Sequence, residues 1–219
     1  MLYIKNKINF TSETSGIDTF EKCLDKKHFV NYKKDIFYKY NSKGFRDNEW
    51  PKNLKNAIWC VGDSFTVGIG QPFEETWPQQ LSKITGKKCI NIGQDGCSND
   101  YIAKRVNYIW RTYQPKHIIV MWSYLHRRKN LHYLKSDFGT KEDFANLVKN
   151  YSKVAKIPTN ILHYIIPNGS LTDPTRFKYF CKKHNLEIKQ IKQMDFARDY
   201  HHFDIKTVKN ICNHMAKNI

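Results

Sequence analysis

Ala57-Ile58-Trp59-Cys60-Val61-Gly62-Asp63-Ser64-Phe65-Thr66-Val67-Gly68 is an apolar run that ends abruptly in Gly-Asp-Ser. The run is short, rich in Ile, Val and Trp, and punctuated by Gly62, which suits a core strand better than a helix. Ser64 then stands at the strand's carboxyl end. In open α/β sheets that edge binds ligands, because loops from neighbouring strands converge there around helix N-termini. A serine so placed is a nucleophile if a base reaches it.

The candidate base lies near the far end, in Asp199-Tyr200-His201-His202. A carboxylate held against one imidazole nitrogen fixes the tautomer and stabilises the cation formed when the other nitrogen takes a serine proton. Ser64, His202 and Asp199 therefore form a candidate triad; the Asp-x-x-His spacing selects His202, and His201, which needs a different ring approach, is the alternative base. Together, Gly62-Asp63-Ser64-Phe65-Thr66-Val67-Gly68 and Asp199-x-x-His202 resemble the GDSL/SGNH hydrolase superfamily of ester-cleaving enzymes. An Asn41-x-x-Gly44-Phe45-Arg46 element upstream is similar to a subset of the same superfamily.

The resemblance implies an oxyanion site. Gly96 follows the second strand five residues after Asn91, as in the superfamily's second block, and on that basis Gly96 and Ser64 donate backbone N–H groups to the oxyanion. The third block departs from the pattern. Where the superfamily has Gly-x-Asn-Asp, this chain has Trp122-Ser123-Tyr124-Leu125-His126-Arg127. One missing oxyanion donor costs on the order of 2.7 to 4 kcal/mol, a rate factor of about 100 to 1000. Three outcomes compete: Ser123, Asn99 or Arg127 substitutes, the enzyme is slow, or the site no longer turns over. Arg127 and Arg128 can equally meet an acidic or sugar substrate at the rim.

The 219 residues carry a formal charge of +17, which raises nucleic acid as a partner. Only seven of the 37 basic residues are arginine, they are spread along the chain, and paired phosphate recognition favours Arg. Nucleic-acid binding is therefore the weaker reading, and a Lys-rich, Asn-rich bias of the kind an AT-rich genome imposes accounts for the charge. The six scattered cysteines include no C-x-x-C pair and read as reduced, mostly buried thiols. Residues 1–7 lack the apolar stretch of a secretory signal and no run reaches membrane-spanning length, so a cytoplasmic protein with no membrane span is expected.

Residues 1–55 read as an N-terminal extension, with a short helix over 19–27 and a hairpin over 37–46 turning at Asn41-Ser42-Lys43-Gly44. Residues 56–219 then alternate strand and helix. Further strands are expected at 88–92, 117–123, 160–167 and 187–194. Helices are expected at 74–85, 99–113 and 141–156, from Asp173-Pro174, and at 205–216. Right-handed crossovers turn this alternation into a three-layer α/β/α sandwich around a five-stranded parallel sheet of flavodoxin-like type.

The expected function is a serine ester hydrolase acting on a small ester or acylated glycan. An O-acyltransferase using the same triad, or an inactive SGNH-like binding module, are the alternatives. No cofactor is expected. Metal ligation by Asp199, His201, His202 and His126 is disfavoured, because adjacent histidines rarely share an ion and no H-E-x-x-H set is present. His163 reads as a core or edge histidine. Nothing in the sequence sets an oligomeric state.

Overall fold

The computed structural model describes residues 17–19, 34–128, 139–167 and 174–219. Two short strands, β1 (Ile17–Asp18) and β2 (Ile36–Phe37), pair antiparallel ahead of the main sheet. That sheet comprises β3 (Ile58–Val61), β4 (Cys89–Asn91), β5 (His117–Trp122), β6 (Asn160–Ile165) and β7 (Ile188–Gln190). Its strands are all parallel and lie in the order β4-β3-β5-β6-β7. Helices α1 (Ser64–Val67), α2 (Trp77–Thr85), α3 (Asn99–Tyr113), α4 (Lys141–Ala155), α5 (Pro174–Lys183) and α6 (Ile205–Ala216) connect and cover them. This is the expected α/β sandwich, and the strand order reverses at β3, the strand that carries Ser64.

All four residues of β3 are buried, as a strand covered on both faces requires. Ile58 and Cys60 pack against Trp77 and Leu81 of α2 and Val208, Cys212 and Met215 of α6. Trp59 and Val61 point the other way, into a core with Ile102, Val106 and Ile109 of α3 and Leu147 and Val154 of α4. Each such aliphatic side chain contributes roughly 1.5–3 kcal/mol on burial, so β3 is fixed from both sides. Cys60, Cys89, Cys97, Cys181 and Cys212 are free and buried.

Three local expectations are corrected. The 37–46 hairpin does not form: β2 takes β1 as its partner, and the Asn41–Gly44 turn closes instead on Asn41 Oδ1, which accepts the N–H groups of Lys43 (3.0 Å) and Phe45 (3.1 Å). The helix expected from residue 74 begins at Trp77, after a 3-10 turn over Phe73–Glu75, because Pro78 has no N–H to give and fits only the first helical turn. The last strand stops at Gln190, because the chain bends so that Asp195 accepts the N–H groups of Lys206 (2.7 Å) and Thr207 (2.9 Å) at the start of α6. Of the helix expected over 19–27, all but Thr19 lies outside the described residues, as does Asp173. Among the described residues no helix is long and apolar enough to cross a membrane.

Candidate active site

Ser64 is the first residue of α1 and 3% exposed. Asp63 caps that helix: its Oδ1 accepts the Phe65 N–H at 3.1 Å, while Oδ2 accepts the Ser123 hydroxyl at 2.5 Å and meets Arg127 Nη1 at 3.4 Å. A fully buried carboxylate beside Ser64 would oppose negative charge developing there, and these three donors disperse its charge. At the other end of α1, Gly68 is left-handed, with φ of 80°. The β4 loop lies against α1 so closely that a Cβ on Gly93 would stand 2.6 Å from the Val67 nitrogen, and only glycine permits that approach.

The Gly-Asp-Ser and Asp-x-x-His motifs do not indicate what secures this corner. Arg46, 1% exposed, donates to the carbonyls of Gly68, Val67 (3.3 Å) and Gln71 (2.7 Å) and stacks on the Tyr38 ring at 4.2 Å. Arg105 donates to the Ile92 carbonyl (2.7 Å) and Gln94 Oε1 (2.6 Å), holding the β4 loop. Arg198 donates to the carbonyls of Asp18 (2.9 Å) and Lys34, tying the β1–β2 ribbon to the histidine loop. Tyr38 accepts the Gly70 N–H at 2.8 Å. The one available signal is the scarcity of arginine in a lysine-biased chain. A guanidinium satisfies several carbonyls from one fork, which an ammonium cannot match.

Asp199 and His202 come together. His202 Nδ1 bonds Asp199 Oδ2, and Asp199 Oδ1 accepts the N–H groups of His201 and His202, each at 3.0 Å. Burial alone would raise the Asp199 carboxyl, but the hydrogen bond and charge of His202 and these two N–H groups outweigh it and hold the carboxyl below its ordinary range. The loop closes through the Ala197 N–H on the His202 carbonyl (2.7 Å) and the bridge between Phe196 and Phe203.

This loop docks beside α1 and Ser64. The His202 ring packs on Phe65, adjacent to Ser64, with centroids 4.4 Å apart, and a Cβ on Gly70 would lie 3.4 Å from Asp199 Cγ. Among the described residues His202 Nε2 is buried and has no hydrogen-bond partner. His201 is exposed and its Nε2 faces the Tyr124 hydroxyl at 3.0 Å. Burial and then the neighbouring His202 push its pKa down.

The candidate oxyanion donors separate clearly. The Ser123 N–H goes to Asn99 Oδ1 (2.8 Å) and its hydroxyl to Asp63. The Asn99 amide donates to the carbonyls of Ser123 (3.4 Å) and Tyr124 (3.1 Å). Both side chains fasten the β5 loop and are unavailable as donors. Arg127, resting over the Tyr124 ring at 5.2 Å, has one nitrogen near Asp63 and Ser123 and its remaining N–H groups unengaged among the described residues. Gly96 has φ of 66° and open space where a side chain would project. Arg128 pairs with the buried Asp143 at 2.9 Å and belongs to the α4 cap. His163 lies between Trp122 and Tyr151, and burial lowers its pKa to about 4. Among the described residues no three metal-ligating side chains cluster.

No protein-family profile matches the sequence, and no curated protein matches it. Solved structures do match. A protein named for the G-D-S-L family of lipolytic proteins, from Desulfitobacterium hafniense, has a TM-score of 0.54 over 75% of this chain and 99% of its own, at 12% identity. A family two carbohydrate esterase from Clostridium thermocellum, in complex with cellohexaose, scores 0.53 over 78% of this chain and 65% of that one, at 13% identity. TesA scores 0.50 over 74% and 97%, at 11% identity. With Gly-Asp-Ser at the end of β3 and the Asp-His pair ahead of α6, the architecture of this chain is the GDSL/SGNH hydrolase fold.

Proposed function

We propose that this protein is a serine ester hydrolase in which Ser64 attacks an acyl carbonyl, His202 takes its proton and Asp199 orients and stabilises the imidazolium. The observation that carries this reading is the Asp199–His202 pair packed on Phe65, one residue from Ser64, with His202 Nε2 buried and unpartnered. A buried acceptor left unmade costs about 1–3 kcal/mol, and a serine proton is the donor that relieves it. Such contacts commonly tighten only once substrate is bound. The Ser64 and Gly96 N–H groups, with Arg127 in place of the missing amide, would receive the oxyanion; its collapse breaks the ester C–O bond, the alcohol leaves with the proton held by His202, and water, activated by the same imidazole, then hydrolyses the acyl-serine to the acid and free Ser64. The carbohydrate esterase among the structural neighbours favours an acylated glycan as substrate.

A fluorophosphonate probe tests the reading directly. Ser64 should be labelled in the wild type and unlabelled in Ser64→Ala, with p-nitrophenyl acetate hydrolysis lost in parallel. Equal background rates and no label in either protein would leave the inactive binding module. If Arg127 is the third donor, Arg127→Met should lower kcat by about 100 to 1000-fold while KM changes little. A variant with full kcat would remove Arg127 from the oxyanion site.

A further inference from the structure

The donors around the Asp63 carboxylate are unequal. The Ser123 hydroxyl donates to Oδ2 at 2.5 Å, whereas Arg127 Nη1 stands 3.4 Å from that oxygen and 3.4 Å from Ser123 Oγ. Contacts between a guanidinium and a carboxylate settle at about 2.7–2.9 Å, so this ion pair is stretched even though the Asp63 side chain is fully buried. The Arg127 main chain is fixed on both sides, its N–H donating to the Tyr124 carbonyl (3.0 Å) and its carbonyl accepting the Asn99 N–H (3.1 Å). Its guanidinium is 26% exposed and rests over the Tyr124 ring. The freedom left to Arg127 is therefore that of its side chain.

A guanidinium cannot give the same N–H groups to two anions at once. Closed on Asp63, Arg127 would have little left for charge developing at Ser64. The Ser123 hydroxyl opposes that closure, because it already fills the oxygen that Nη1 would take and lies against Nη1 itself. We propose that Ser123 is a positioning residue: by occupying Asp63 Oδ2 it keeps Arg127 from collapsing onto the carboxylate and leaves the guanidinium free to meet the oxyanion. The inference rests on the proposed hydrolase reading for its effect on rate, while the separation it explains is independent of turnover. Ser123 belongs to the third block, where this chain departs from the superfamily pattern. An arginine replaces the missing amide there only in company with the hydroxyl that holds it back from Asp63.

Ser123→Ala keeps the bond from its backbone N–H to Asn99 Oδ1 (2.8 Å), so the β5 loop stays fastened and only the hydroxyl is lost. In the full chain this change should lower kcat for p-nitrophenyl acetate by about 100 to 1000-fold with KM little changed, as the loss of an oxyanion donor does. Two backgrounds separate positioning from a structural role. Added to Arg127→Met, it should cost less than about threefold more, because the group it positions is already gone. Added to Asp63→Asn, it should again cost less than about threefold, because a neutral amide gives Arg127 no charge to close on, and Asn caps α1 as Asp does. In Ser123→Cys, which keeps a weak donor in place should the alanine variant misfold, the loss should be intermediate. A crystal structure of Ser123→Ala should show an Arg127 Nη within about 2.9 Å of Asp63 Oδ2. Undiminished kcat in Ser123→Ala, an equal loss in every background, or a pair still 3.4 Å apart in that crystal would overturn the inference. If the wild type takes no fluorophosphonate label at Ser64, the hydrolase reading falls, and the crystal of Ser123→Ala decides alone, a closed pair supporting Ser123 as the spacer and an open one refuting it.

Discussion

His202→Ala is expected to lower kcat/KM for p-nitrophenyl acetate by about 10⁴-fold or more, the scale on which members of a serine triad fail when removed singly. His201→Ala should lose less than about tenfold. The two histidines are neighbours, yet their surroundings differ. His202 has Nδ1 fixed on Asp199 and Nε2 free of any partner among the described residues, so its second nitrogen is available to accept a proton. His201 has its Nε2 at the Tyr124 hydroxyl and is exposed where His202 is buried. Rates compared across the two variants and Asp199→Asn, at several pH values, decide the matter. Comparable losses at 201 and 202 would remove the assignment.

The same pair sets a dependence of stability on acid. The Asp199 carboxyl is held below its ordinary value of 3.8, so its contribution to stability is complete above that value and is lost as pH falls through the lower folded one. Unfolding midpoints should therefore decline below about pH 4 more steeply in the wild type than in Asp199→Asn.

Arg46→Ala should destabilise the protein by about 4 kcal/mol or more, a large share of the 5–15 kcal/mol typical of a whole domain. The change strands the buried carbonyls of Val67 and Gln71, leaves Gly68 with the Gln71 N–H alone, and removes a cation stacked on Tyr38. Each stranded acceptor costs about 1–3 kcal/mol. Arg46→Lys should recover only part of this, because one ammonium cannot reach three carbonyls at fixed separations. Urea denaturation measures the loss directly. A midpoint unchanged in Arg46→Ala would show that the guanidinium is dispensable.

Much of the fold was legible because its determinants are local. A fully buried parallel strand is a short apolar run, and the 57–61 stretch could hardly be anything else. Asp199 and His202 are three residues apart, so their contact needs only a tight loop. The hairpin over 37–46 failed for the opposite reason: the partner strand is two residues long and sits in a stretch with no period to read. Arg46 was invisible as a fastener because its acceptors are backbone carbonyls 21 to 25 positions away, and carbonyls carry no sequence code. Ser123 and Asn99 looked available as donors because the sequence does not reveal that they bond each other's loops across 24 positions.

The tie between Arg198 and Asp18 joins positions 180 apart, and it sits one residue from Asp199. The histidine loop is thus anchored by a contact of nearly the greatest sequence separation the chain allows. Contacts of that kind form late and open early, because closing so long a segment is entropically demanding. On the proposed reading, catalysis at this corner therefore depends on residues far apart in sequence: a polypeptide nicked between residues 18 and 198 would lose the ordered proton acceptor.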